Sequence, residues 1–349
     1  MSTVHICCID KFIPSFVRLV NEKFSPDEHT FLVYGDKERF DLEYRGNVHY
    51  IGLNLFSNVK QFLQLQKKIQ LHDRIILHSF HGKKIALLLM LTPGALKKSY
   101  WFIWGADLYK YQTEKRNYKW YLSEFFRRPI IKRMGNLVTY IKGDYELAKE
   151  WYGCTGRWHE CLLYTSNVYK QNSGINTSQI NGDKITILIG NSADPTNNHF
   201  SLFDILENYK NQNIEIVAPL SYGVKSYAAE VAAEGYRRFG DKFVPLIDFM
   251  PLQQYLAILE KVDIAMFNHN RQQAMGNTIT LLGSRKTVFL KSGTTQWDFF
   301  QEKGIQVFDI KDFSLKCLTH DEKLENEQKI GSYFSVETLS AQLKAIFNS

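Results

Sequence analysis

Long apolar runs are missing from this chain of 349 residues. The longest, Ile85–Leu91, is far short of the roughly 20 residues that carry a helix across a bilayer. Cysteine is scarce. Cys7, Cys8, Cys154, Cys161 and Cys317 are odd in number and lack the paired spacing of a metal site. That argues against a disulfide scaffold and fits a reducing cytoplasm. Cys7 and Cys8 lie in an apolar run (VHICCI), where free thiols pack as small apolar side chains. Asp10 and Lys11 interrupt that run early, so the N-terminus reads as lacking a signal peptide. Short-period repeats and low-complexity tracts are also absent.

What is present is the composition of a soluble globular protein, 44% hydrophobic and 23% charged, with length enough for two α/β domains. The net charge of +7 is local. Between Lys110 and Arg133 stand Lys110, Lys115, Arg116, Lys119, Arg127, Arg128, Lys132 and Arg133, opposed only by Glu114 and Glu124. Aromatic residues interleave with them. As a helix, the segment puts Tyr118, Tyr121, Leu122, Phe125 and Phe126 on one face, with Arg116, Lys119 and Arg127 off it. Two readings stand: a core helix with a solvated basic side, or a surface helix lying on anionic lipid. Nucleic acid is not an expected partner, because no recognised binding motif accompanies the patch.

Strand and helix patterns alternate through both halves. The first half reads as strands at Val4–Ile9, Thr30–Tyr34, His49–Ile51, Arg74–His78, Ser99–Ile103, Leu137–Tyr140 and Cys161–Leu163. Helices are expected at Phe12–Glu22, Val59–Leu71 and Lys83–Leu91. Residues 167–183 are polar and aperiodic, and make the best linker between a domain over 1–166 and a second over 184–330. The second half reads as strands at Lys184–Ile189, Ile214–Ala218, Phe243–Leu246, Val262–Phe267 and Thr287–Leu290. A helix is expected from Thr278, and residues 331–349 close the chain around a helix over Val336–Phe347. This pattern predicts mostly parallel sheets.

Ligands of open α/β sheets lie outside the carboxyl ends of strands. The turns that end these strands carry the most distinctive residues. GNSADPTNNH, Gly190–His199, follows the strand KITILI, and its backbone N–H groups and small polar side chains suit an anion. After it come Pro219–Gly223 (PLSYG), Phe249–Pro251 (FMP) and Arg271–Asn277 (RQQAMGN). In the first half stands WFIWGADLY, Trp101–Tyr109. The W-G-A-D-L-Y, G-N-S-x-D-x-x-N-x-H and R-Q-Q-x-x-G blocks resemble one bacterial family, from about Arg74 to Phe300. It contains the lipid II TDP-4-acetamido-4,6-dideoxygalactose transferase of enterobacterial common antigen synthesis. It is labelled 4-α-L-fucosyltransferase, glycosyltransferase family 56. Pro195 and Asn277 depart from its pattern.

The resemblance implies the GT-B layout, two Rossmann-like doubly wound α/β domains facing a cleft. It implies transfer of a dTDP-activated deoxyamino sugar to a polyprenyl-diphosphate-linked saccharide, at the cytoplasmic face of the bacterial inner membrane. The product would be part of a surface polysaccharide. A departing diphosphate needs hydrogen-bond donors and cations. Arg271, Gln272, Gln273, Gly276, Asn277 and Thr278 are candidates, with Gly190, Asn191, Ser192, Asn197 and His199. Pro219, Tyr222, Phe249, Met250 and Tyr255 are candidate walls for the base and sugar. Asp107, His78 and His81 are candidates for the catalytic base. Arg116, Lys119, Arg127 and Arg128 are candidates for the membrane or acceptor contact. No metal or other cofactor is expected: no D-x-D motif stands at a strand end, and the E-x7-E signature of retaining GT-B enzymes is not evident. The alternative is a non-catalytic nucleotide- or polysaccharide-binding protein on the same fold.

Overall fold

The computed structural model describes residues 1–52, 59–80, 83–170 and 184–349. His81 and most of the expected linker lie outside the described residues. The chain divides into two compact units, Met1–Val168 with Val336–Ser349, and Tyr169–Ser335.

The first unit runs β1 (Thr3–Cys8), α1 (Ile13–Lys23), β2 (His29–Tyr34), β3 (Val48–Tyr50), α2 (Val59–Leu71), β4 (Arg74–His78), α3 (Lys83–Met90) and β5 (Ser99–Phe102). It continues with α4 (Ala106–Thr113), α5 (Tyr118–Arg133), β6 (Asn136–Val138), α6 (Lys142–Tyr152) and β7 (Arg157–His159). The seven strands form one parallel sheet in the order β3-β2-β1-β4-β5-β6-β7. β1 and β4 are buried along nearly their whole length, as the apolar runs VHICC and RIILH require of strands covered on both faces. Helix α1 buries Ile13, Phe16, Val17 and Val20 at helical spacing and takes Pro14 in its first turn.

The second unit runs β8 (Ile185–Ile189), α7 (His199–Leu206), β9 (Ile214–Pro219), α8 (Lys225–Phe239), β10 (Phe243–Leu246) and α9 (Leu252–Lys261). Then follow β11 (Ile264–Phe267), α10 (Met275–Gly283), β12 (Thr287–Leu290), α11 (Thr295–Glu302), β13 (Phe308–Asp309) and α12 (His320–Tyr333). Its six strands are parallel, in the order β10-β9-β8-β11-β12-β13. The last helix, α13 (Val336–Asn348), returns to the first unit. Its Phe347 ring packs on His5, His29 and Phe24.

Two expectations are corrected, and one helix is added. The last strand of the first sheet is Arg157–His159, and Cys161–Leu163 lies beyond it, buried, with Leu163 at φ 71° breaking the extended course. Helix α10 starts at Met275, so Gly276 and Asn277 sit in its first turn instead of ahead of it. Helix α6 is absent from the sequence reading, although Asp144, Ala148 and Tyr152 form its buried stripe.

Candidate active site

In each sheet the strand order reverses once, between β1 and β4 and between β8 and β11. These are the switch points where open α/β sheets leave a crevice at the carboxyl edge. In the second unit the candidate turns meet at that point. Asn197, fully buried, is the hub. Its Oδ1 accepts the Asn191 backbone N–H at 2.8 Å and the His269 Nε2–H at 2.9 Å. Its amide donates to the Ser192 hydroxyl at 3.3 Å and the Asp194 carbonyl at 3.0 Å. Gly190 stands at φ 63°, and a Cβ there would lie 2.6 Å from His199 Nε2 and 2.8 Å from Asn197 Oδ1. Only glycine fits both the backbone and the space.

Gln273 laces this turn to the one after β11. Its side chain donates to Asn191 Oδ1 at 3.1 Å and accepts from the Thr196 hydroxyl at 2.9 Å. Its backbone N–H donates to Gln296 Oε1 at 3.3 Å, and Gln296 donates on to the Thr278 hydroxyl at 3.1 Å. Arg271 is held 3.9 Å from Asp194. Ala274 takes φ 59° to start α10, and no side chain caps that helix. The N–H groups of its first turn carry the partial positive charge of a helix N-terminus. His199 and His269 are buried and neutral. Burial holds the pKa of His199 at about 4. Burial, then the Arg271 charge, holds His269 at about 3. The outcome is a network of neutral, mutually hydrogen-bonded side chains with one guanidinium beside a helix start.

Toward the other edge, after β9 and β10, Tyr222 is 74% exposed and Phe249 88% exposed. Both side chains lie largely at the surface, outside the core. Pro219 is buried, Met250 is half-buried, and Tyr255 accepts from the Asn277 amide at 2.8 Å. Gln272 is half-buried beside Arg271. His269 and Gln296 are absent from the sequence reading. The position of His269 at the end of β11 was the available signal; Gln296 lies on a helix after β12 and offered none.

In the first unit two of the candidate bases, Asp107 and His78, are engaged by neighbours within the domain. Asp107 is fully buried. Its Oδ2 accepts the Phe80 N–H at 2.8 Å and the Trp101 indole at 2.7 Å, and its Oδ1 the Trp104 and Leu108 N–H groups at 3.0 and 3.1 Å. Four donors fill the carboxylate and leave no lone pair for an acceptor hydroxyl. His78 is buried in a chain of rings. The Trp104 indole donates to the Tyr164 oxygen at 2.7 Å, and Tyr164 lies 2.6 Å from His78 Nδ1. His78 Nε2 lies 3.1 Å from His5 Nδ1, and His5 Nε2 lies 3.0 Å from His29 Nδ1. One proton order satisfies every member: tyrosine donates to His78, His78 to His5, and His5 to His29. All three imidazoles are held neutral, with burial as the leading cause.

Helix α5 is inverted relative to the core-helix reading. Tyr118, Tyr121 and Phe125 are 74%, 61% and 74% exposed, and Leu122 is exposed too. The buried stripe is Trp120, Glu124, Arg127, Ile130 and Ile131. Arg127, expected at the surface, is in the core. It pairs with Glu124 at 2.7 Å and donates to the Tyr152 hydroxyl at 3.1 Å and the Asp107 carbonyl at 2.6 Å. Arg116 and Lys119 remain exposed, Arg116 over the Tyr111 and Trp120 rings. Arg128 is exposed over Tyr111 and Tyr152 and donates to the Trp151 carbonyl. Among the described residues no helix is long and apolar enough to cross a membrane.

Two parallel, doubly wound domains make this a GT-B fold, and the family match makes the chain a glycosyltransferase. The chain belongs to the family described as 4-alpha-L-fucosyltransferase, glycosyl transferase group 56, whose model matches residues 11–324. Its fold is similar to that of the N-terminal domain of Candida albicans trehalose-6-phosphate phosphatase, with TM-score 0.66 and 11% identity, over 99% of this chain and 96% of that one. An E. coli trehalose-6-phosphate structure bound with UDP-2-fluoro glucose matches with TM-score 0.65 and 10% identity, over 100% and 98% of the two chains. Sucrose-phosphate synthase from Thermosynechococcus elongatus matches with TM-score 0.63 and 11% identity, over 100% and 98%. At these identities the likeness is one of fold.

Proposed function

We propose that this glycosyltransferase moves a dTDP-activated deoxyamino sugar, of the 4-acetamido-4,6-dideoxygalactose kind, onto a polyprenyl-diphosphate-linked saccharide. The reaction serves surface polysaccharide synthesis at the cytoplasmic face of a bacterial inner membrane. The observation that carries the donor half is the lacing of residues 190–199 to 268–278 through Asn197, His269 and Gln273. Donors fixed before the ligand arrives stabilise a departing diphosphate without reorganising. Arg271 supplies the cation, and its 3.9 Å contact with Asp194 is loose enough to yield to phosphate oxygens. This donor set needs no metal. Tyr222 and Phe249 offer faces for thymine.

The acceptor half rests on α5. Exposed Tyr118, Tyr121, Leu122 and Phe125 beside Lys119 and Arg116 form the pattern of a helix lying in a lipid interface. A transfer assay tests the reading. The full-length protein should move sugar from dTDP-4-acetamido-4,6-dideoxygalactose to lipid-linked saccharides extracted from bacterial membranes, and EDTA should leave the rate unchanged. Transfer from UDP- or GDP-sugars instead would overturn the thymidine assignment.

A further inference from the structure

The first sheet has a switch point of its own, between β1 and β4, where Cys7 pairs with His78. Asp10 and Ser79 therefore leave neighbouring strand ends. Both carry a buried polar atom without a partner. The Ser79 hydroxyl, on a side chain only 6% exposed, makes no hydrogen bond. Its backbone is held at φ 70°, outside the usual range for serine, by its N–H bond to the Phe102 carbonyl at 3.0 Å. Asp10 Oδ1 is likewise buried and unpartnered.

Among the other acids of this unit, Asp107 has four donors and Asp144 accepts from the Tyr109 hydroxyl; Glu124 pairs with Arg127 through Oε1, and only its Oε2 is unpartnered as Asp10 Oδ1 is. Nor does the Asp10 side chain cap α1; only its backbone carbonyl takes the Ile13 N–H. A buried oxygen without a donor costs stability, so folding gives no reason for this carboxylate. Strained backbone and unsatisfied polar atoms gather where a ligand completes the site.

We propose that Asp10 is the general base of the transfer and that Ser79 orients the acceptor hydroxyl beside it. The proposal rests on the glycosyl-transfer reading above. As the acceptor oxygen bonds to the anomeric carbon, its proton passes to the Asp10 carboxylate. The bond from anomeric carbon to phosphate oxygen breaks, and its electron pair leaves with the nucleoside diphosphate. Asp107 and His78, whose lone pairs and ring nitrogens are engaged within the domain, cannot do this without breaking those bonds.

The test compares wild type, Asp10→Asn, Asp10→Glu and Ser79→Ala, each full length, in the transfer assay with dTDP-4-acetamido-4,6-dideoxygalactose and extracted lipid-linked saccharides. Asp10→Asn should lower kcat by roughly 10²–10⁴-fold, the usual worth of a general base. Its melting temperature should hold or rise, and dTDP should stabilise it as it stabilises wild type. The acid limb of the rate profile should vanish in Asp10→Asn and persist in Asp10→Glu. Ser79→Ala should raise the acceptor KM more than it lowers kcat. An Asp10→Asn rate within fivefold of wild type overturns the assignment and leaves glycosyl transfer standing. So does a rate loss accompanied by unfolding or by lost dTDP binding, which would mark the carboxylate as structural. A wild type that transfers no sugar overturns the functional reading and the proposal with it.

Discussion

His269 donates its Nε2–H to Asn197 Oδ1 across 2.9 Å, a buried contact that ties the turn after β8 to the end of β11. The same oxygen fixes the Asn191 N–H. Asn197→Ala would leave both donors buried and unsatisfied. Each lost partner typically costs about 1–3 kcal/mol. The variant should melt well below wild type and lose dTDP-induced stabilisation, read in one thermal-shift series. Unchanged melting and unchanged nucleotide response would mean the hub does not organise the turn.

Arg271→Ala separates binding from folding. Its contact with Asp194 is long and it donates to the Gln272 carbonyl at 3.3 Å, so melting is followed beside affinity to read any loss of stability on its own. A charge-assisted hydrogen bond to a diphosphate is typically worth about 1.5–3 kcal/mol. Calorimetry should therefore show dTDP binding weakened by roughly 10- to 150-fold. Wild-type affinity would place the guanidinium outside the donor site.

Asp107→Asn should act through stability. An amide cannot accept on both sides, so at least two of the four N–H donors lose their partner. A loss of about 2–4 kcal/mol is expected, roughly 5–15 °C in melting temperature for a domain of this size. An unchanged melting temperature with abolished transfer would restore Asp107 as a catalytic candidate.

Much of the fold was legible in the sequence, and the reasons are local. Arg74–His78, Phe243–Leu246 and Thr287–Leu290 are short apolar runs between polar turns, and the strands coincide with them. The start of α10 was not legible, because Ala274 enters it through a left-handed backbone with no capping side chain. The donor turns were legible as strand ends. Their lacing was not, since His269 and Gln296 reach Asn197 and Gln273 only through the tertiary fold. On α5 the aromatic residues outweighed a quieter pattern. Trp120, Glu124, Arg127 and Ile131 recur at helical spacing, but two of them are charged, and only their pairing makes that face burial-competent.

Acid should loosen the protein before carboxylates titrate. His29 and His199 are held at about 4, and His78 and His269 at about 3. In the unfolded chain each imidazole titrates near 6.5. Below that pH the unfolded state binds protons that the folded state refuses, so stability falls as pH falls from 6.5 toward 4. The slope per histidine is about 1.4 kcal/mol per pH unit. Urea midpoints should be flat above pH 7 and drop steeply by pH 5. A flat profile down to pH 5 would mean these rings are hydrated.

Membrane contact should follow the aromatic ring set more than Arg127. Tyr118→Ser, Tyr121→Ser and Phe125→Ser together should abolish pelleting with anionic vesicles while melting and dTDP binding stay unchanged. Charge reversal at Arg127 should instead unfold the first unit, because Glu124 would be left buried without its partner. Pelleting by the triple variant would remove α5 from the membrane account.

In the proposed reaction the nucleotide sits at the switch point of the second unit. Amide hydrogen exchange with and without dTDP tests it directly. Exchange should slow in 190–199 and 268–278, slow less around Tyr222 and Phe249, and respond less to GDP at equal concentration. Protection that spares both turns, or that GDP reproduces in full, would contradict it.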